Sequence, residues 1–261
     1  MTRVVRTLLI ANIALWIAQV ALPGLHVTEW LAFYPPAILA RPWTIVTYMF
    51  VHDPGGFSHI AFNMIALYFF GPRVEAHMGS RRFTILYFLS GIGGAAASFL
   101  FAFNSPILGA SAALFGVMLA FARYWPNATI LLWMIIPIPA WLLVILTTLM
   151  EFWFGRTGIQ SGVAHFAHLG GFAAAALYLV WLERSRTAFK RDMARVPQEV
   201  TQRVQRWEGV DLAKVHEVNR AEVARILDKI AKSGVGSLSS QERLFLSNFV
   251  PYDDQTGSQV Q

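Results

Sequence analysis

Residues 109–116 read GASAALFG, an apolar run that carries a single hydroxyl, Ser111. What that serine is for depends on what surrounds the run. The chain has 261 residues, of which 56% are hydrophobic and 14% charged, against about 25% charged in soluble domains. Its mean hydropathy is +0.48. The deficit of charge, with long apolar runs on both sides of GASAALFG, reads as an integral membrane protein. There is no cysteine. Disulfides, thiolate metal sites and a cysteine nucleophile are therefore excluded.

A crossing helix needs about 20 mostly apolar residues. Outward from Ser111, the candidate spans fall at 7–25, 58–78, 82–103, 108–123, 128–154 and 161–183. The fourth holds Ser111 and is short, since Pro106 and Pro126 bracket it. The fifth contains Pro137 and Pro139, so a break or a later start is expected there. The first begins like a signal peptide, but its apolar run is long and no clean cleavage site follows, so it reads as a helix. Between the first and second spans lies an aromatic-rich connection, 26–57, with Trp30, Trp43 and Tyr48. Trp and Tyr favour the membrane interface.

Charge placement orients these spans. With the N-terminus inside, Arg3, Arg6, Arg73, Arg81, Arg82, Arg123 and the basic run after Glu183 all lie inside. Only Arg41 and Arg156 lie outside. This positive-inside pattern closes over six crossings and puts both termini in the cytoplasm. The net charge of +6 is then a matter of topology and attraction to a lipid bilayer. No nucleic-acid motif accompanies it, and no nucleic-acid partner is expected.

The composition changes near Arg184. Val223, Ile226, Leu227 and Ile230 repeat at helical spacing. Asn219 with Glu222, and Ser239 with Glu242, each resemble a capping box. Gly234 and Gly236 separate two expected helices, and a basic amphipathic stretch at 190–207 precedes them. The expected organisation is an all-α membrane domain over 1–185 and a cytoplasmic helical tail over 186–261, with nothing catalytic in the tail and no partner indicated.

Three polar sites interrupt the apolar spans: His59 with Asn63, Ser111, and His165 with His168. Such residues are costly in a membrane and usually face the bundle interior or a cavity. Taken alone, Ser111 is a packing residue, with Gly109, Ala113 and Gly116 forming a small-residue contact face. His168 alters that reading. It lies in VAHFAHLGGFAAAALY (163–178), whose small residues, Gly171 among them, allow close helix approach. Counted from Pro106, Ser111 lies about 7–8 Å along its span, and counted from Ser161, His168 lies about 10 Å along, at about 1.5 Å per residue. Both spans enter from the outer face, so the two side chains share a depth. A histidine there can take a proton from a serine. His59 and Asn63, four residues apart on one helix face, enter from the same side, and two such donors could hold an oxyanion. Phe115, one turn after Ser111, shares its face and could stack on the His168 ring, or could equally face lipid or core. No Asp or Glu is evidently placed to orient His168, which favours a Ser–His dyad. Glu75 and Glu151 read as solvated helix ends or loop contacts. A membrane metal or transport site drawn from His52, His59, His165 and His168 is the weaker alternative, because no intramembrane acid or cysteine supports it. No metal and no cofactor are expected.

At this point the pattern resembles the rhomboid family of intramembrane serine proteases. The resemblance rests on RPWTIVTYMFVHDPGGFSHIAFNM (41–64), GASAALFG (109–116) and AHLGGF (167–172), in the family's order and on spans two, four and six. It covers roughly 1–185. It implies a six-transmembrane-helix bundle in which Ser111 is the nucleophile and His168 the general base and then acid. His59 and Asn63, with the Ser111 backbone N–H, match oxyanion-stabilising positions, while Gly109, Phe115 and Gly171 support the packing. The Arg41–Trp43 region matches an outer loop lying partly in the membrane. The implied substrate is a transmembrane protein, cut near the outer face of a bacterial inner membrane. Ala112 stands where many members have glycine, and Phe115 where some have tyrosine. The competing reading is a non-catalytic rhomboid-like protein that binds membrane clients; inactive relatives typically lack the serine or the histidine, and both are present here.

Overall fold

The computed structural model of the chain describes residues 1–132, 135–158, 164–194, 212 and 215–247. It divides into two compact units, Met1–Trp181 and Leu182–Gln261.

In the first unit, each of the six expected segments holds a helix. They are α1 (Arg3–Ala21), α4 (Phe57–Met78), α5 (Ser80–Phe101), α6 (Ser111–Tyr124), α7 (Ala140–Thr157) and the part up to Trp181 of α8 (His165–Ala194). Two short helices, α2 (Val27–Leu31) and α3 (Thr44–Thr47), lie in the connection between α1 and α4. Among the described residues, three helices are long and apolar enough to cross a membrane by length and composition: α1, α5, and α8 over His165–Ser185. The others are interrupted or short. His59, Asn63, Arg73 and Glu75 break the apolar run of α4, Glu151 and Arg156 that of α7, and α6 has only 14 residues. Side chains such as Phe62, Leu100, Trp153 and Leu177 point outward, well exposed. A helical bundle that turns large apolar groups outward is built for a lipid solvent, and the protein is an integral membrane protein.

Around α6 the bundle closes tightly. It packs on α5, α4 and α7, and α1 packs on α4. The core between them holds Tyr48, Leu67, Phe83, Leu86, Tyr87 and Val117, all fully buried. The fifth segment starts later than its apolar run. Strands β1 (Thr129–Leu132) and β2 (Ile136–Pro139) pair antiparallel, and α7 begins only at Ala140, directly after Pro139. Proline lacks the N–H that a helix interior needs, which is why the break falls there.

The aromatic connection is tied down by side-chain bonds to its own backbone. Trp43 Nε1 donates to Trp30 O at 2.9 Å and Thr47 Oγ1 to Leu31 O at 2.9 Å. Arg41 donates to Glu29 O and lies over the Trp30 ring, 4.8 Å from its centroid.

The second unit holds α9 (Glu217–Ser233) and α10 (Ser240–Ser247), joined by a turn at Val235–Ser237. Val215, Val223, Ile226, Leu238 and Leu246 form its core. The Ser239–Glu242 box is reciprocal: Glu242 N donates to Ser239 Oγ at 3.2 Å and Ser239 N to Glu242 Oε2 at 2.8 Å. The Asn219–Glu222 start is corrected, since α9 begins earlier, at Glu217 with His216 as its N-cap, and Asn219 is inside the helix. Of the expected amphipathic stretch at 190–207, residues 195–207 lie outside the described residues.

Candidate active site

Ser111 is the first residue of α6. The helix does not reach back to Leu108, as the apolar run had implied. Instead, Pro106–Ala110 is non-helical chain that bends at Gly109–Ala110 and is held from outside: Phe33 N donates to Ile107 O, Ile107 N to Phe33 O, and Gly109 N to Tyr48 O, at 3.0, 2.8 and 2.9 Å. At about 1.5 Å per residue, 14 residues rise about 21 Å, short of the about 30 Å hydrocarbon core. Ser111 therefore sits at the positive end of a helix dipole and next to N–H groups that have no partner within the helix.

His168 is in the first turn of α8, its N–H donating to Ala164 O at 3.1 Å. Its Nε2 lies 2.7 Å from Ser111 Oγ. Two glycines make this approach possible. A Cβ on Gly171 would lie 2.0 Å from Ala112 O, so only glycine lets α8 rest directly on the α6 backbone. Gly109 has φ +113°, a conformation closed to most side chains, and a Cβ there would meet His59 Nε2 at 2.7 Å. Phe115 stacks on the His168 ring, with centroids 4.3 Å apart and planes 11° apart. Of the two orientations open to Phe115 from the sequence, the histidine-facing one is realised.

His59 Nδ1 accepts a 3.4 Å bond from Asp53 N, which turns the Nε2 side of the ring toward Gly109. Asn63 is buried, and its side-chain amide donates to His59 O at 2.8 Å. His52 packs edge-on against His59, 5.1 Å between centroids, and neither of its buried ring nitrogens has a hydrogen-bond partner among the described residues. Among the described residues, no group of three or more His, Asp or Glu is arranged to hold a metal ion.

Neither Glu75 nor Glu151 is a solvated helix end. Glu151, on α7, turns inward: its Oε2 lies 2.6 Å from His165 Nδ1 and 3.1 Å from His168 Nδ1. The His168 contact is not in line, and His168 Nδ1 has no aligned hydrogen bond. The chain therefore does bring a carboxylate to the second nitrogen of His168. The available signal was an ionisable residue in an otherwise apolar helix. What it pairs with depends on how α7 and α8 meet, which spacing along the chain does not give.

Residues 39–185 match the Rhomboid domain family. The chain belongs to the rhomboid family. Its fold is that of a rhomboid helical membrane bundle, and the family includes intramembrane serine proteases. The rhomboid region is 34% identical over 136 residues to "RHOMBOID-like protein 4" of Arabidopsis thaliana, covering 52% of this chain and 32% of that protein. It is 34% identical over 129 residues to "Rhomboid protein 1, mitochondrial" of Saccharomyces cerevisiae, covering 47% and 37%. A shorter stretch of 76 residues is 42% identical to "Rhomboid protease GluP" of Bacillus subtilis, covering 29% and 14%. The matched region thus spans well under half the length of these relatives.

Proposed function

We propose that this rhomboid is an intramembrane serine endopeptidase that cuts transmembrane segments of other proteins near the outer membrane face. The single observation that carries this reading is the 2.7 Å contact between Ser111 Oγ and His168 Nε2, at the sunken start of a helix too short to cross the bilayer. Hydrolysis needs water. A short α6 leaves its N-terminal end below the membrane surface, where water can reach Ser111 from outside.

In this reading His168 Nε2 takes the Ser111 hydroxyl proton as Oγ bonds to the scissile carbonyl carbon. The negative charge on the carbonyl oxygen is met by the Ser111 N–H at the start of α6, with His59 and Asn63 as further donors. Protonated His168 then gives its proton to the leaving amine as the C–N bond breaks, leaving an acyl-enzyme on Ser111. Water then attacks the acyl carbon while giving a proton to His168, and His168 returns that proton to Ser111 Oγ as the acyl–Oγ bond breaks. The Asn63 amide carries two N–H groups, so with one donated to His59 O the second is left for the oxyanion. A substrate helix weakened by glycine would unwind more readily to present its carbonyl. The positive-inside arrangement supports cytoplasmic termini, and a bacterial inner membrane is the proposed location.

The test uses the full chain reconstituted with a transmembrane substrate. Ser111→Ala and His168→Ala are each expected to abolish cleavage while the protein still purifies as a folded species, and a fluorophosphonate probe should label wild type but not Ser111→Ala. Cleavage retained in either variant would remove that residue from the mechanism. Folded wild type that neither cleaves nor labels would favour a client-binding protein instead.

A further inference from the structure

We infer that Glu151 is a positioning residue for His168, making the site a Ser111–His168–Glu151 relay in which His165 shares the carboxylate. This rests on the protease reading above and goes beyond it, since a Ser–His dyad needs no acid.

Three observations carry it. Glu151 Oε2 lies 3.1 Å from His168 Nδ1, on the opposite side of the imidazole from the Ser111 contact at 2.7 Å. The groups are sequestered, with the side chains of Glu151, His165 and His168 only 14%, 7% and 10% exposed. Finally, His168 Nδ1 is a buried polar atom with no aligned partner among the described residues. Among the described residues, the ionisable groups facing His168 are Glu151 from α7, His165 from its own helix, and His59 from α4. Of these, only Glu151 can carry negative charge.

The chemistry follows from what a carboxylate can do. It accepts and does not donate. The nitrogen facing it carries the proton, which leaves the Nε2 lone pair free to receive the Ser111 proton. One ring nitrogen's partner thus fixes the other's role. When His168 becomes an imidazolium, the nearby carboxylate stabilises it. His165 competes for the same oxygen, at 2.6 Å. Glu151 is therefore tethered on one side by a neighbour that touches no reacting atom, and from there it sets the tautomer and tilt of the histidine that does. Phe115 holds the flat face of the same ring. Edge and face are then fixed by different helices.

The experiment measures kcat and KM for a transmembrane substrate in liposomes, with the full chain. In an in-line triad, loss of the acid's charge costs about 10⁴ in kcat; for this shared, off-line contact Glu151→Gln should lower kcat about 10- to 100-fold with KM within about twofold. Glu151→Asp, which keeps the charge, should recover part of the loss. His165→Gln should hold kcat within about threefold, because the Gln amide can still donate to Glu151 and keep it tethered. Retention of kcat in Glu151→Gln would overturn the inference. So would an equal loss in His165→Gln, which would assign Glu151 to holding His165 rather than His168, or a loss confined to KM. Fluorophosphonate labelling rates on the monodisperse fraction keep the comparison valid if a variant folds poorly. Failure of the protease reading looks different: there, wild type itself does not cleave, or Ser111→Ala still does.

Discussion

Two glutamates lie near opposite ends of the bundle, and their surroundings differ in kind. Glu75 is near the C-terminal end of α4, sixteen residues from His59, or about 24 Å along the helix. It is 2% exposed. Its oxygens accept from Val4 N, Val5 N and Ser80 Oγ, at 3.1, 2.9 and 2.7 Å. It therefore bonds to the first N–H groups of α1, which have no partner within the helix, and clasps α1, α4 and α5 together. Every one of those donors is a fixed N–H or O–H. Glu151 instead faces two imidazoles, each able to gain or lose a proton. A buried carboxylate satisfied by backbone holds a fold together, whereas one satisfied by titratable rings can take part in moving protons.

The sharpest way to break this contrast is at the backbone-on-backbone packing of α8 on α6, which sets the His168 side of the Glu151 region. Gly171→Ala places a methyl where Ala112 O already is, at 2.0 Å. It should push α8 off α6 and cost about 100-fold in kcat, since a displacement of about 1 Å at a reacting pair has that scale. Substrate cleavage by the folded fraction reads it. Glu75→Gln comes next, with the opposite signature. It should destabilise the bundle by about 2 kcal/mol, the scale of a hydrogen bond to a charged group, while kcat per folded molecule stays unchanged. Thermal unfolding in detergent, set beside activity, separates the two. If Glu75→Gln lost kcat and Glu151→Gln lost only stability, the contrast would be reversed.

A third carboxylate gives the smallest effect and a baseline in water. Lys229 beside Glu242, then the Ser239 N–H and Arg225, hold its carboxyl down at about 2. An unfolded glutamate titrates near about 4.3. The folded value is the lower one, so the stabilisation is fully present above about pH 4.3 and is lost as pH falls toward about 2. Hydrogen exchange at the amides of α10 should speed up across that window, and Glu242→Gln should flatten the dependence. Because Glu242 is held by exposed partners, salt should weaken it as well.

Much of the site could be read in the sequence. Ser111 and His168 follow from their depth along the spans, and Gly109 and Gly171 from small-residue patterns; the structure brings all four together, with Gly109 just ahead of α6 rather than on its face. The Pro137 and Pro139 break was also legible, because proline acts locally. Other features were set by partners far along the chain. The start of α6 was placed too early because Pro106–Ala110 is fixed by Phe33 and Tyr48, and apolar periodicity carries no trace of those bonds. The pairing of Glu75 and of Glu151 is hidden from the sequence for the same reason. Near a helix end, a carboxylate that reaches water and one that caps another helix have identical local sequence. Asn219 shows the converse: its capping pattern was present, but the helix had already begun at Glu217.

The rest of Gly171 on Ala112 O has one more consequence. Most spacings between side chains in a protein drift as rotamers hop, and they respond to temperature and to the lipid outside. At this contact no side chain separates the two main chains. The distance from α8 to α6 is a contact between a Cα and a carbonyl oxygen, with nothing soft in it to be compressed. The protein can therefore deform with its bilayer, lipid by lipid, and carry the serine and the histidine along as one piece.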